Sequence, residues 1–152
     1  MEQRQQLAKR SRSGIVVLIG CGKRKGWRKT RAEWLYQGSF YSKCLSLARL
    51  LTERKYIFIL SAKYGMIALE EQIDPYDLNI KSLSVEDKEK WEKKIKMILE
   101  NWSDRTIVFI CGETYHLNFD GIKLLPKVGI GKQLQWLNRK IKELRCIRFP
   151  RR

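Results

Sequence analysis

Three short runs of apolar residues, rich in β-branched and aromatic side chains, punctuate the chain: Gly14 to Gly20 (GIVVLIG), Tyr56 to Ser61 (YIFILS) and Thr106 to Cys111 (TIVFIC). Each is apolar at both alternating sets of positions, the pattern of a strand whose sheet is covered by helices on both faces. Between these runs the period changes. Tyr41, Cys44, Leu45, Ala48 and Leu51 recur at spacings of three and four, as do Trp91, Ile95, Ile98, Leu99 and Trp102, and again Leu134, Leu137, Ile141 and Leu144. These spacings predict three amphipathic helices. Ser84 with Asp87 is a candidate N-terminal cap for the second. Ile122 to Leu125 reads as a fourth strand, and the last helix is expected to open after the Gly129-Ile130-Gly131 break.

Strands alternating with helices predict an α/β fold: a single three-layer α/β/α domain with a central four-stranded parallel sheet. The 152 residues suffice for one core and not two. The expected organisation is a basic tail over residues 1–13 and one domain over residues 14–152 that ends in a basic tail. No apolar run approaches the ~20 residues of a bilayer crossing. The polar start MEQRQQLAKRSRSG lacks the apolar centre of a secretory signal, so a cytoplasmic location with no membrane association is expected. Of the oligomeric states, left open by the sequence, a monomer is favoured.

Charge narrows the picture. The chain carries 32 Lys and Arg against 16 Asp and Glu, a net +16, which is the electrostatic footprint of a protein that meets polyphosphate backbones. The excess is local: residues 1–31 hold ten Lys or Arg and one acid, and residues 131–152 hold eight and one. Nucleic acid is the expected partner. Cys21, Cys44, Cys111 and Cys146 are far apart, without a CxxC pair, and His116 is the only histidine. This pattern favours reduced cysteines in or near the core over a metal site, and no cofactor is expected.

In parallel sheets ligands bind beyond the carboxyl ends of the strands, so the segments that follow the strands are where chemistry is sought. After the first comes CGKRK, which lacks the spacing of a nucleotide-binding P-loop. Lys23 and Lys25, with Gly22 allowing close approach, suit contact with a single phosphate; a solvated loop or direct chemistry by Cys21 are the alternatives. After the second comes SAKYG, where Lys63 and Tyr64 precede Gly65, a residue suited to a turn at positive φ. Tyr64 suits either stacking on an extruded base or plain packing. IDPYD then brings Asp74 and Asp77 around Pro75, for electrostatic stabilisation or for capping. CGETYHL sets His116 near Glu113 and Tyr115, to assist a leaving base or to serve a structural role. The last helix, entered after its glycines, offers free N–H groups to a phosphate at Gly131 and Lys132. Arg139, Lys140, Lys142 and Arg145 are expected to face outward.

The ordered set CGKRK, LYQGSFY, SAKYGMI and PYDLNI resembles a small bacterial and phage domain family sharing CGKxK, LYxGxxF/Y, SAKxG and PYD stretches, over about Val16 to Ile141. That family is in turn similar to the uracil-DNA glycosylase-like domain of archaeosine-type tRNA-modifying enzymes. The resemblance implies a nucleobase pocket at the strand ends. In phage-defence relatives it implies excision of a modified base, including glucosylated hydroxymethylcytosine, from viral DNA. By position, Cys21, Gly22, Lys23 and Lys25 fall in the first motif, Ser61, Lys63, Tyr64 and Gly65 in the third, and Tyr76 and Asp77 in the fourth. The water-activating Asp of the uracil-DNA glycosylases has no counterpart at CGKRK. Either Asp77 replaces it or the domain binds bases without cleaving.

The function expected on these grounds is a DNA glycosylase that flips out and excises a modified base, with phage DNA as partner and no metal. Asp77, His116 and Lys63 are the candidate catalytic groups. Tyr64, Tyr76 and Glu113 join the motif residues around the base, and Arg24, Arg28, Lys29, Gly131, Lys132 and Arg139 are the candidate backbone contacts. A non-catalytic nucleic-acid or nucleobase-binding domain and a nucleoside hydrolase are the rivals.

Overall fold

The structure is a computed structural model, and it describes residues 14–22, 24–115 and 119–148. Strand β1 (Ile15–Gly20) lies at the centre of the main sheet. Two short segments, β2 (Arg24–Lys25) and β3 (Thr30–Arg31), lead to the single helical turn α1 (Ala32–Leu35), then to β4 (Tyr36–Gln37) and helix α2 (Ser39–Leu51). Next come β5 (Ile57–Ser61), β6 (Gly65–Ala68), β7 (Gln72–Ile73), α3 (Val85–Glu100), β8 (Thr106–Ile110), β9 (Ile122–Lys123) and α4 (Ile130–Arg148). β1 pairs in parallel with β5 and with β8, and β8 with β9.

The apolar runs form this centre because both of their faces are covered. Val17, Ile19, Ile57, Ile59, Val108 and Ile110 share one core with residues of α2 and α4. Val16, Leu18, Leu60, Ile107 and Phe109 turn to the other side and pack on Trp91, Ile95 and Leu99 of α3. Helices therefore lie on both faces, as the two-sided apolar pattern requires. Ser84 caps α3, its Oγ accepting the Asp87 N–H at 3.0 Å. No helix among the described residues is long and apolar enough to cross a membrane.

The sheet departs from the expected four parallel strands in one respect: it has five, in the order β6-β5-β1-β8-β9, and β6 is antiparallel to β5. The cause is the turn after Ser61. Gly65 adopts φ +76°, the left-handed conformation expected of it, and this reverses the chain so that Gly65 pairs back on Ser61. The segment SAKYGMI is thus half loop and half edge strand.

Two other boundaries move. The ladder of the last strand covers Ile122–Lys123 and not Leu125, although the Leu124 N–H still donates to the Phe109 carbonyl at 3.0 Å. Helix α4 starts at Ile130, which places Gly131 inside its first turn, and the Gly129 carbonyl accepts the Gln133 N–H at 3.0 Å. Cys146 is exposed and not near the core, because it lies off the Leu137–Ile141–Leu144 stripe that packs inward. The expected tail over residues 1–13 lies outside the described residues.

Candidate active site at the strand ends

The carboxyl ends of β1 and β8 open onto a cleft of about 770 Å³. Its walls come from five places: Cys21, Gly22 and Lys25 after β1; Gln37 to Tyr41, where β4 leads into α2; Asp77 to Lys81 after β7; Gly112, Thr114 and Tyr115 after β8; and Ile130 at the start of α4. The amino ends of both long helices on this side thus border the cleft, where their unpaired N–H groups favour an anion. Gly38, with φ +111°, allows the sharp entry into α2 that brings Ser39 to the rim.

Beneath the cleft lies a set of hydroxyls. Tyr76 Oη is 2.6 Å from Ser61 Oγ and 2.6 Å from Tyr36 Oη. Ser61 is fully buried; its Oγ also accepts the Tyr64 N–H at 3.1 Å, and its carbonyl accepts Trp91 Nε1–H at 2.8 Å. The Lys25 ammonium rests 4.5 Å above the Tyr76 ring and 5.9 Å from that of Tyr36, a cation–π arrangement that holds a cation at the cleft wall. Burial pushes the Tyr36 phenol up to about 12 and raises Tyr76 and Tyr115 further. These phenols therefore stay neutral, able to donate a hydrogen bond but not to act as resting bases. Tyr115 Oη meets Cys21 Sγ at 3.1 Å.

Of the residues singled out from the sequence, Cys21, Gly22, Lys25 and Asp77 meet at the cleft. Others stand apart from its lining. Ser61 and Tyr76 lie in the hydroxyl set below. Tyr64 packs edge-on against Tyr76, ring centres 5.4 Å apart, and its hydroxyl donates to the Asp74 carbonyl at 3.2 Å. Gly65 is buried in the turn. Lys63 is exposed with its ammonium 5.3 Å from the Tyr64 ring, because the turn that buries Ser61 points the residue two positions later away. Glu113 is exposed and lines a neighbouring depression with Pro126, Gly129 and Gln133. Arg24 pairs with Gln37 through its backbone, and Arg28 and Lys29 are exposed in the loop that follows. Gly131, Lys132 and Arg139 are exposed on α4, as are Lys140, Lys142 and Arg145. His116 and Lys23 lie outside the described residues.

The structure also brings forward residues that periodicity does not mark. Tyr36 sits in LYQGSFY, a stretch noted for its pattern and not for its chemistry. Glu33 is more unexpected: its buried carboxylate accepts Arg54 Nη2 at 2.6 Å and faces Arg49 at 3.3 Å and Arg31 at 3.4 Å. The Arg54 hydrogen bond, with the charges of all three guanidiniums, holds its carboxyl below the usual range against the cost of burial. The one signal in the sequence is that Glu33 is the only acid between Glu2 and Glu53.

The chain belongs to a family of unknown function (DUF6884), whose profile matches residues 16–139. No curated protein and no solved structure matches it.

Proposed function

We propose that the chain is a monofunctional DNA glycosylase of uracil-DNA glycosylase-like fold, acting in the cytoplasm on a modified base of phage DNA. The observation that carries this reading is the composition of the cleft wall. Asp77 is, among the described residues, the one carboxylate that lines it, and it shares the wall with Lys25 and Lys81. A single anion beside two cations in a cleft of this size suits a reaction in which positive charge develops on a sugar while a polyanion is held around it.

In this reading the two helix amino ends at the rim, with the exposed cations of α4, receive backbone phosphates. The target nucleotide leaves the stack at a cost of roughly a few kcal/mol. Asp77 stabilises the cationic sugar as the base–sugar bond breaks and orients the water that adds to C1′; the water's proton and the departing electron pair leave with the base. The Tyr115 phenol, kept neutral by burial and paired with Cys21 Sγ, forms part of the wall beside that base. The 770 Å³ volume accommodates a base enlarged by a sugar substituent. Motif resemblance supports glucosylated hydroxymethylcytosine as the class of base.

The test is to incubate the purified protein with modified phage DNA, unmodified DNA and free nucleosides, and to assay released base and abasic sites by mass spectrometry. Release from modified DNA alone is expected. Salt-sensitive binding without release would make the domain a nucleic-acid binder, and release from nucleosides would make it a nucleoside hydrolase.

A further inference from the structure

Two tryptophans stand in solvent beside the cleft. Trp27 is 80% exposed and Trp34 59%, and among the described residues no other aromatic side chain is so open. Leaving two indoles in water forgoes the largest burial gain a side chain offers, so their position calls for a partner. The segments that carry them are joined: Lys25 pairs with Tyr36 and the Gly26 N–H donates to the Leu35 carbonyl at 2.8 Å, so each tryptophan is one residue from that hydrogen bond, Trp27 after Gly26 and Trp34 in the helical turn α1 before Leu35.

Each indole carries a guanidinium against one face: Arg28 lies 4.2 Å from the Trp27 ring centre and Arg31 lies 4.8 Å from that of Trp34. Arg31 is fixed in turn by Glu33 at 3.4 Å and Glu70 at 3.5 Å, which holds the second stack in place before any ligand arrives. Residues 23–31 hold six Lys or Arg and no acid, so the partner that fits is a polyanion with flat, stackable groups.

A path joins this surface to the cleft. A second groove, of about 540 Å³, is lined by Trp34, Ser42 and Arg49, and it shares Gln37, Gly38, Ser39 and Tyr41 with the main cleft. A chain lying on Trp34 thus runs over Gly38 and Ser39, at the amino end of α2, into the space that holds Asp77.

We propose that Trp27 and Trp34 form a stacking platform for unpaired bases of a DNA single strand whose neighbouring nucleotide enters the cleft. The proposal rests on the reading of the cleft as a DNA site and adds to it the strand state: the protein engages a locally unpaired strand. Aromatic faces accept any base, while the surrounding cations follow the backbone.

Fluorescence anisotropy with a labelled homopyrimidine oligodeoxynucleotide, single-stranded or annealed to its complement, tests this. Trp27→Ala and Trp34→Ala are each expected to weaken single-strand binding by about fivefold to a hundredfold. Duplex affinity and the salt slope should stay near wild type, because no charge is removed. Trp34→Phe should recover most of the loss, and Met97→Ala, at an exposed apolar residue of α3, should lose nothing. Single-strand affinity unchanged in both alanine variants overturns the proposal, as does an equal loss on single strand and duplex. Its failure is separable from that of the glycosylase reading. Base release with no effect of the tryptophans removes the platform alone; a tryptophan-dependent single-strand preference without base release leaves the platform and removes the catalysis.

Discussion

Cys21 and Tyr115 are 94 positions apart in the chain and meet at 3.1 Å, thiol to phenol, where β1 and β8 end side by side. The contact closes the cleft wall between two strand-end loops. It also gives the cysteine of CGKRK a phenol as its hydrogen-bond partner.

Serine keeps both the donor and the acceptor of that contact. Cys21→Ser is therefore expected to retain base release near the wild-type rate, whereas a nucleophilic thiol would lose it almost entirely. Single-turnover release from modified DNA distinguishes the two.

Asp77 stands alone among the described carboxylates of the cleft wall. Asp77→Asn removes the charge while keeping the shape, and a fall in the rate of release of about 10²-fold or more is expected, the scale of losing one preorganised electrostatic contact. DNA affinity should stay within a few-fold. Full activity in this variant would remove Asp77 from the mechanism.

Tyr76 sits between Ser61 and Tyr36 in the hydroxyl set, so Tyr76→Phe severs two hydrogen bonds and leaves the fully buried Ser61 Oγ short of a partner. A loss of about 1–3 kcal/mol is expected, with a smaller one for Tyr36→Phe, which severs one. Urea midpoints at neutral pH measure both.

The buried phenols and thiols set the alkaline limit. Burial pushes Tyr36 and Cys44 up to about 12 and raises Tyr41, Tyr76, Tyr115 and Cys111 beyond their usual values. Since the folded state favours their neutral forms, the stability this brings is complete below the unfolded-state values of about 9 to 10 and is lost as pH rises above them. Urea midpoints should fall steeply from about pH 9 upward, and phenolate absorbance should appear together with unfolding.

Glu33 acts at the other end of the scale. Its carboxyl is held low, so its contribution is present at neutral pH and lost as the pH falls below the usual carboxylate range. Glu33→Gln leaves Arg31, Arg49 and Arg54 without their shared anion. The expected cost is about 2–3 kcal/mol, below that of a fully buried pair because the guanidiniums are partly hydrated. The acid limb of the stability profile should flatten in this variant.

Much of the fold is legible in the chain because it depends on local period. Short runs apolar on both alternations, rich in β-branched residues and bounded by Gly, Ser or Cys, suit strands between two helical layers, and stripes at three and four suit helices lying on them; β1, β5, β8 and the three long helices follow that pattern. A turn at Gly65 was also readable, since a positive φ selects glycine.

Side-chain direction at the strand ends was not readable. Whether Ser61 or Lys63 turns inward depends on how tightly the chain reverses after β5, and that reversal, completed by pairing with β6, made Ser61 a buried link and left Lys63 outside. Asp77 and Lys25 reach one wall only because the loops after β7 and β1 converge over the end of the sheet. The Glu33 cluster gathers residues from four segments, among them Arg54 and Glu70. Local spacing carries periodicity and charge, and these determined the layers and the basic character. Which charges face each other is decided by contacts between segments distant in sequence, and only the packed structure supplies those.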